Sequence, residues 1–551
     1  MEPTVEDQTF TPEVTNGGQQ EIFSAERLLN KMKQKALKKL EEIKKKLNNL
    51  AEDQLQRTEE SINLIFEIYE NPYSFLDEKG IDVNNLNIFL VPPRGNNSAE
   101  AKMFLPIAEV INFEDPAQVK CYMELLSCLP PIPIAYYKGL DNMLVIVIPV
   151  DLVSTYKLFR ALAEGDPLFF KTRLLWRLKK DRNKRIFLLT KLLSKFPSTP
   201  FLGLGATLPG LFKYGQLLEY PTTTGHAGTV NCILRLVESL RKDQELNAIV
   251  NGNQKPKNKI GVIGLGRIGK SVVEILAEDM IVYDSRKEKS AEMQNREKVT
   301  VAENWLDVFK KSKIVVLAIT TPLDFEKLYW ERVAELKRNY PSDEQWIKSC
   351  VKQEFQMALD GAIIIDDSEP GAVTPSSIEF LREMGIIITV IKPLAGIDNS
   401  PIIRSTFDDE KYDLGLNPTT LPDKTSECIM YGCEFEVYIR SMFINKIKEI
   451  LGLCNRNDLI DYNNKKSKDS LKRLIYDYII KEERKNICYE DVNLLFEYFF
   501  SSYKEGLTPE RVKIFQKVIK ILEQLQWIGN LSYPYVTVNG SYEEESRHAE
   551  Q

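Results

Sequence analysis

The stretch Lys259–Asp284, KIGVIGLGRIGKSVVEILAEDMIVYD, decides how this chain is read. Lys259–Ile263 is a short apolar strand, and Gly264, Gly266 and Gly269 supply a G-x-G-x-x-G turn. Ile268–Ala277 then carries helical apolar spacing, and Ile281–Tyr283 is a second strand ending at Asp284. Each part has a chemical reason. The first glycine makes the tight turn, the second lets backbone approach a pyrophosphate, and the third lets helix and strand pack closely. Phosphates then rest on the unpaired N–H groups at the helix N-terminus. Asp284 stands roughly 20 residues beyond the first glycine, where an acid accepts the ribose hydroxyls of NAD. Arg267 and Ile268 inside the turn, and Ser285 and Arg286 after the acid, are further candidate contacts. Strand, turn, helix, strand and terminal acid together predict a bound nicotinamide dinucleotide, NAD or NADP. Asp284 favours NADH, whereas Arg286 and Lys287 could pair with the 2′-phosphate of NADPH.

The alternation continues beyond this unit. Ile314–Ile319, Ala362–Asp366 and Ile386–Val390 are buried-type strands separated by helical stretches. Strands alternating with helices mean a parallel sheet. The expected class is α/β, a Rossmann-like doubly wound parallel sheet plus an α/β substrate domain, with helical N- and C-terminal extensions. Thr320, Thr321 and Pro322 end a sheet strand where the nicotinamide half of the cofactor commonly passes, so they join the candidate contacts.

With 551 residues the chain has room for several domains. A net charge of −6 argues against nucleic-acid binding, because no basic excess exists to neutralise phosphates. Eight scattered cysteines give neither a disulfide frame nor paired zinc spacing, so no metal site is expected. No signal peptide is legible, and the longest apolar run, Met143–Val150, is too short to span a bilayer. The expected compartment is the cytoplasm.

The order of segments predicts a disordered tail at 1–22, a coiled-coil-like helical segment at 23–80 and an α/β substrate domain at 81–245. A dinucleotide-binding domain at 256–400 follows, then a helical segment at 401–455, an accessory helical region at 456–535 and a disordered tail at 536–551. Within the first helical segment Leu37, Leu40, Ile43, Leu47 and Leu50 form one apolar stripe among lysines. That stripe either packs on its own protein or seats a partner or second copy through residues 24–70. Strands are expected at Asn87–Val91, Ile132–Tyr136 and Met143–Val150, with helices at Gln118–Ser127 and across 152–198.

The glycine turn GLGRIG is similar to that of D-2-hydroxyacid dehydrogenases. They require a histidine acid/base after the nucleotide domain. The chain has two histidines, His226 and His548, and the second lies in the tail. A different resemblance runs through the longer motif order. LGATLPGLFKYG (204–215), TTGHAGTV (223–230), the dinucleotide segment, IIIDDSEPGAV (363–373) and MYGCEFE (430–436) follow one another. This order resembles the long-chain acyl-ACP reductases, aldehyde-forming acyl thioester reductases, over about 140–440. There a GGFTSIIFE-like loop precedes TTGNTHTA, a nucleotide fold, an IDGGYPKN-like strand end and FACFAE. On that pattern Cys433 falls on the acyl-carrying cysteine. Asp366, Asp367 and Pro370 fall on the strand-end turn, and Thr223, Thr224 and Gly225 on the threonine–glycine loop. The family's turn is typically GATGDIG and suits NADPH, unlike GLGRIG with Asp284, and its loop histidine lies two places later than His226.

The resemblance implies reduction of a long-chain acyl thioester, carried on CoA or acyl carrier protein, to an aldehyde through an acyl-cysteine at Cys433. A thiolate is the reactive form, and the sequence predicts that Cys433 opens a helix running through Ile444, which favours that form. The alternative is that Cys433 is a small packing residue, and Cys428 is its decoy. Glu436, three residues on, shares a helix face with Cys433 and is either a substrate contact or a structural carboxylate. His226 is either an oxyanion donor and proton carrier or a loop cap. Two alternatives stand beside the thioester reading: a nicotinamide-dependent dehydrogenase of a carbonyl substrate without covalent catalysis, and a non-catalytic dinucleotide-binding scaffold.

Overall fold

The computed structural model describes residues 18–47, 51–84, 86–93, 105–112, 115–150, 168–198, 200–206, 208–250, 259–276, 278–319, 323–339, 344–368, 371–398, 403–406, 427–454, 465–482, 486–500 and 508–537. Two sheets organise these residues. The first contains β1 (Asn87–Val91), β2 (Ile132–Lys138), β3 (Leu140–Val147), β4 (Phe201–Leu204), β5 (Thr222–Thr223) and β12 (Ile403–Thr406), in the order β12-β2-β3-β1-β4-β5. Strands β3, β1, β4 and β5 run parallel, and β2 pairs antiparallel with β3 and β12.

The period of two assigns the faces of this sheet. Ile88, Leu90, Leu144 and Ile146 join the core under the N-terminal helices Gly18–Lys46 and Glu52–Glu70. Phe89, Met143 and Val145 point the other way, toward the helix Gly432–Leu453. In the first N-terminal helix Leu40 and Ile43 are buried in this protein's own core, with Leu37 partly buried against it. Leu50 lies outside the described residues. That helix begins at Gly18 rather than at the expected 23 or 24.

The second sheet contains β6 (Ile260–Ile263), β7 (Met280–Tyr283), β8 (Val299–Val301), β9 (Ile314–Leu317), β10 (Ala362–Asp366) and β11 (Ile388–Asp398). Its parallel order, β8-β7-β6-β9-β10-β11, is the 3-2-1-4-5-6 order of the doubly wound dinucleotide fold. The sequence direction reverses between β6 and β9, which opens a crevice at their carboxyl ends. Apolar residues alternate between the faces: Val262, Val282 and Val316 join one core, and Ile281, Val315 and Leu317 the other.

Strand β11 outlasts the sheet. Its first half pairs with β10, while Leu394–Asp398 pair antiparallel with β13 (Glu427–Tyr431). Short strands β14 (Leu531–Ser532) and β15 (Tyr535–Thr537) also pair with β11. The segment 401–455 therefore contributes two strands, β12 and β13, before its helix, and is not purely helical as expected. Its five-residue run ECIMY is too short to form an amphipathic helix but long enough to complete an edge of β11. The C-terminal helices Lys465–Lys481, Tyr489–Phe500 and Pro509–Gln524 pack around the Gly432–Leu453 helix and the long helix His226–Val250.

Candidate active site

The glycine turn folds as its residue types require. Gly264 has φ +95°, and a Cβ there would stand 2.4 Å from the Ala318 carbonyl oxygen of the neighbouring strand end. At Gly269 a Cβ would meet the Gly264 carbonyl oxygen at 1.9 Å, so helix Arg267–Leu276 and strand β6 can approach only through glycine. Gly266 differs: a Cβ there meets only the Ala318 oxygen, at 4.0 Å. Among the described residues no atom excludes a Cβ at Gly266, beside the carboxyl ends of β6 and β9. That space fits a pyrophosphate on the first turn of the helix.

Asp284 sits at the end of β7, nearly buried. Its Oδ2 accepts from the Leu265 backbone N–H at 2.7 Å, and its Oδ1 accepts from the Arg286 N–H at 2.9 Å. The carboxylate is thus fixed against the glycine turn, where ribose hydroxyls would reach it. The Arg286 and Lys289 side chains lie 3.7 and 3.9 Å from its oxygens. Lys289, rather than Lys287, is the second cation at this carboxylate. Ser285 follows it as an exposed residue. Thr320, Thr321 and Pro322 lie outside the described residues, as does Pro370.

A second cluster gathers beside this crevice. The register explains how. Strand β13 returns antiparallel along β11, so Tyr431 stands opposite Leu394, a few residues past the point where β11 pairs with β10. Gly432 and Cys433 then open a helix of 22 residues, with Tyr431 as its N-cap. Cys433 is half-buried, in a first turn whose unpaired backbone N–H groups favour an anion. Cys428 lies back in β13, paired with Ile397, and its side chain falls outside the described residues.

The N-termini of two helices meet here through glycine. Gly225, at φ +67°, precedes helix His226–Val250, and a Cβ on it would stand 2.1 Å from the Cys433 carbonyl oxygen. Gly228 faces the Gly432 carbonyl oxygen just as closely, at 2.3 Å. His226 consequently starts its helix against the turn that carries Cys433. Its Nδ1 is buried although the ring keeps some exposure. Burial, then the guanidinium charges of Arg267 and Arg511, push its pKa down to about 4. His226 is therefore a neutral imidazole near pH 7, able to donate or accept a hydrogen bond but not a cationic acid. Cys232, nearly two turns further along the same helix, is buried, and burial followed by the Asp367 and Cys433 charges pushes its thiol up.

Glu436 is drawn into a buried network. Its Oε2 accepts from the Thr223 hydroxyl at 3.1 Å, and its Oε1 accepts from Arg511 Nη2 at 3.1 Å and from the Tyr498 hydroxyl. Arg511 Nη2 also reaches Thr223 Oγ1 at 3.2 Å. Three candidates from the sequence, Cys433, His226 and Glu436, thus lie on two adjoining helix starts. Asp366 is fully buried and accepts from the backbone N–H groups of Ser368, Ala372 and Val373, shaping the loop after β10. Sequence reasoning missed Arg511 and Tyr498. One signal was available: an arginine in the first turn of a helix after the Thr508 cap opposes the helix dipole. Among the described residues no group of acidic, histidine and cysteine side chains could hold a metal ion, and no helix is long and apolar enough to cross a membrane.

Comparisons with known proteins bear on the nucleotide domain. Residues 231–339 match the family model for the D-isomer specific 2-hydroxyacid dehydrogenase NAD binding domain. No curated protein matches the chain. Similar solved structures include a putative D-3-phosphoglycerate dehydrogenase from Ralstonia solanacearum, at 14% identity and TM-score 0.20, covering 36% of this chain and 63% of that one. A D-lactate dehydrogenase with NAD+ from Lactobacillus jensenii gives 19% identity and TM-score 0.21, covering 38% and 61%. An imine reductase from Myxococcus stipitatus in complex with NADP+ gives 13% identity and TM-score 0.18, covering 48% and 94%. The chain spans less than two thirds of the two dehydrogenases. The acyl-ACP reductase resemblance rests on the sequence motifs and not on these matches. Glycine turn, strand order, Asp284 and the family match agree, and this chain carries an NAD(P)-binding domain of Rossmann type.

Proposed function

We propose that the protein is an NAD(P)-dependent oxidoreductase acting on a carbonyl substrate held between the nucleotide crevice and the His226 loop. One observation carries this reading: helix His226–Val250 packs against helix Arg267–Leu276 of the glycine turn, so dinucleotide turn and histidine share one region, and the Arg267 charge adds to burial in lowering the His226 pKa. The nicotinamide supplies or accepts the hydride when bound. Neutral His226 would hydrogen-bond the carbonyl oxygen, and the two guanidinium charges that add to burial in keeping it neutral would favour negative charge developing there. The NAD-binding-domain match supports this direct form best. The supporting experiment is NAD(P)H oxidation by the purified protein across 2-oxo acids, aldehydes and acyl-CoA esters. No oxidation with any of them would discard the reading.

A second form, covalent thioester reduction, is favoured by the position of Cys433 at a helix start against Gly225. In it the Cys433 thiolate attacks the thioester carbonyl and expels the carrier thiolate. Hydride addition to the acyl-cysteine, followed by C–S cleavage, then releases an aldehyde and restores the thiolate. Under this form Cys433→Ser loses acyl-thioester reduction by about a thousandfold or more while retaining dinucleotide affinity. Mass spectrometry after incubation with acyl-CoA, without cofactor, reads it directly: an acyl adduct on Cys433 selects the covalent form, and its absence leaves the direct one.

The geometry of Asp284 also sets an expectation for cofactor choice. Its carboxylate, fixed by two backbone N–H groups, repels a 2′-phosphate more strongly than the exposed Arg286 attracts one. The expected kcat/KM ratio favours NADH over NADPH by on the order of tenfold. A ratio favouring NADPH would mean that Arg286 and Lys289 dominate.

A further inference from the structure

We propose that Arg511 is a positioning residue of this site, locking the Thr223–His226 loop to the helix turn that carries Cys433. The inference rests on the reading above of where the chemistry occurs. Nη2 of Arg511 reaches both Glu436 Oε1, at 3.1 Å, and Thr223 Oγ1, at 3.2 Å, and Thr223 donates to the other oxygen of the same carboxylate. The result is a closed triangle of charge-assisted bonds. One corner, Thr223, stands three residues before His226, and another, Glu436, stands three after Cys433 on the same helix face. The guanidinium also lies 4.8 Å over the ring of Tyr498, whose hydroxyl donates to Glu436.

Stability alone does not account for this arrangement. A buried ion pair is commonly no more stabilising than well-packed apolar residues of the same volume. Arg511 is 7% exposed and sits in the first turn of the Pro509–Gln524 helix, where the dipole disfavours a cation. What the triangle adds is a fixed relation among three distant segments. It is how the C-terminal helices, which carry no motif of their own, enter the site. Among the described residues, the charged and titratable groups around His226 are Arg267 from the glycine turn, Arg511 with its counterion Glu436, and Cys433 from the facing helix. Cys232 on the same helix is itself acted on by Asp367, just after β10, and by Cys433.

The test uses the full chain and exploits its two histidines. NMR titration of the ring protons gives two curves, and His548→Gln assigns them. In Arg511→Met the His226 pKa is expected to rise by about half a unit, since burial and Arg267 are the larger causes of its lowering. Backbone amides of residues 224–229 should exchange about tenfold faster while those of β6 and β9 are unchanged. Arg511→Lys keeps the charge but loses the planar fork, so it should hold the low pKa while still accelerating that local exchange. It also serves as the informative variant if methionine prevents folding. For a substrate that turns over, kcat should fall about tenfold in Arg511→Lys with dinucleotide affinity unchanged. Unchanged exchange at 224–229 in folded Arg511→Lys overturns the proposal. The exchange and titration readouts stand whether or not any carbonyl substrate is reduced, so a failed activity reading is distinguishable from a failed role for Arg511.

Discussion

Gly266→Val is expected to reduce dinucleotide affinity by about a hundredfold or more while leaving the protein folded. The three glycines of the turn differ in what surrounds them. At Gly264 and Gly269 the clash of a Cβ is with protein backbone, at 2.4 and 1.9 Å, so substitution there disrupts strand–helix packing. At Gly266 an added Cβ comes no nearer than 4.0 Å to the surrounding described residues, and its φ lies outside the left-handed region. A valine is accommodated by the fold and occupies the space where the pyrophosphate meets backbone. Fluorescence titration with NADH, alongside a melting curve, separates the two effects. Unaltered affinity in a folded variant would overturn the placement of the pyrophosphate at this turn.

Gly225→Ala should act in the opposite way, through the fold. Its φ of +67° costs an alanine about 1 kcal/mol or more. The added Cβ would lie 2.1 Å from the Cys433 carbonyl oxygen, so the two helix starts must separate. Overpacking of this kind costs about 1–3 kcal/mol further, because neither backbone can rotate away as a side chain would. The expected result is a loss of about 3 kcal/mol in denaturant unfolding, summed from the two contributions. Activity should fall with it, because His226 and Cys433 no longer adjoin. A Gly225→Ala protein with wild-type stability would mean that the helices do not meet as described.

Much of the nucleotide domain was legible in the sequence because its determinants are local. A tight turn needs glycine, a strand buried on both faces needs an apolar run, and the acid after β7 needs only its spacing from the turn. The Ala362–Asp366 strand and the start of the helix at Cys433 could also be read from the sequence. The composition of the first helix predicted an apolar stripe, but the identity of what covers it was open. The structure answers for Leu40 and Ile43 with the chain's own core.

The network around Glu436 was beyond sequence reading. Thr223, Glu436, Tyr498 and Arg511 are separated by up to 288 positions, and nothing in their local patterns links them. They come together because β11 runs past the nucleotide sheet, turning β13 back so that its helix starts beside the His226 helix. The C-terminal helices then close over both. The sequence by itself determined the dinucleotide turn and the strands that hold it, since both follow from short-range sterics and hydrogen-bond demand. Only the tertiary structure decided that Cys433 and His226 adjoin, that Glu436 is bound to Arg511, and that the histidine is neutral. Burial and charge proximity are properties of space, and a chain expresses them only once segments far apart in order have packed together.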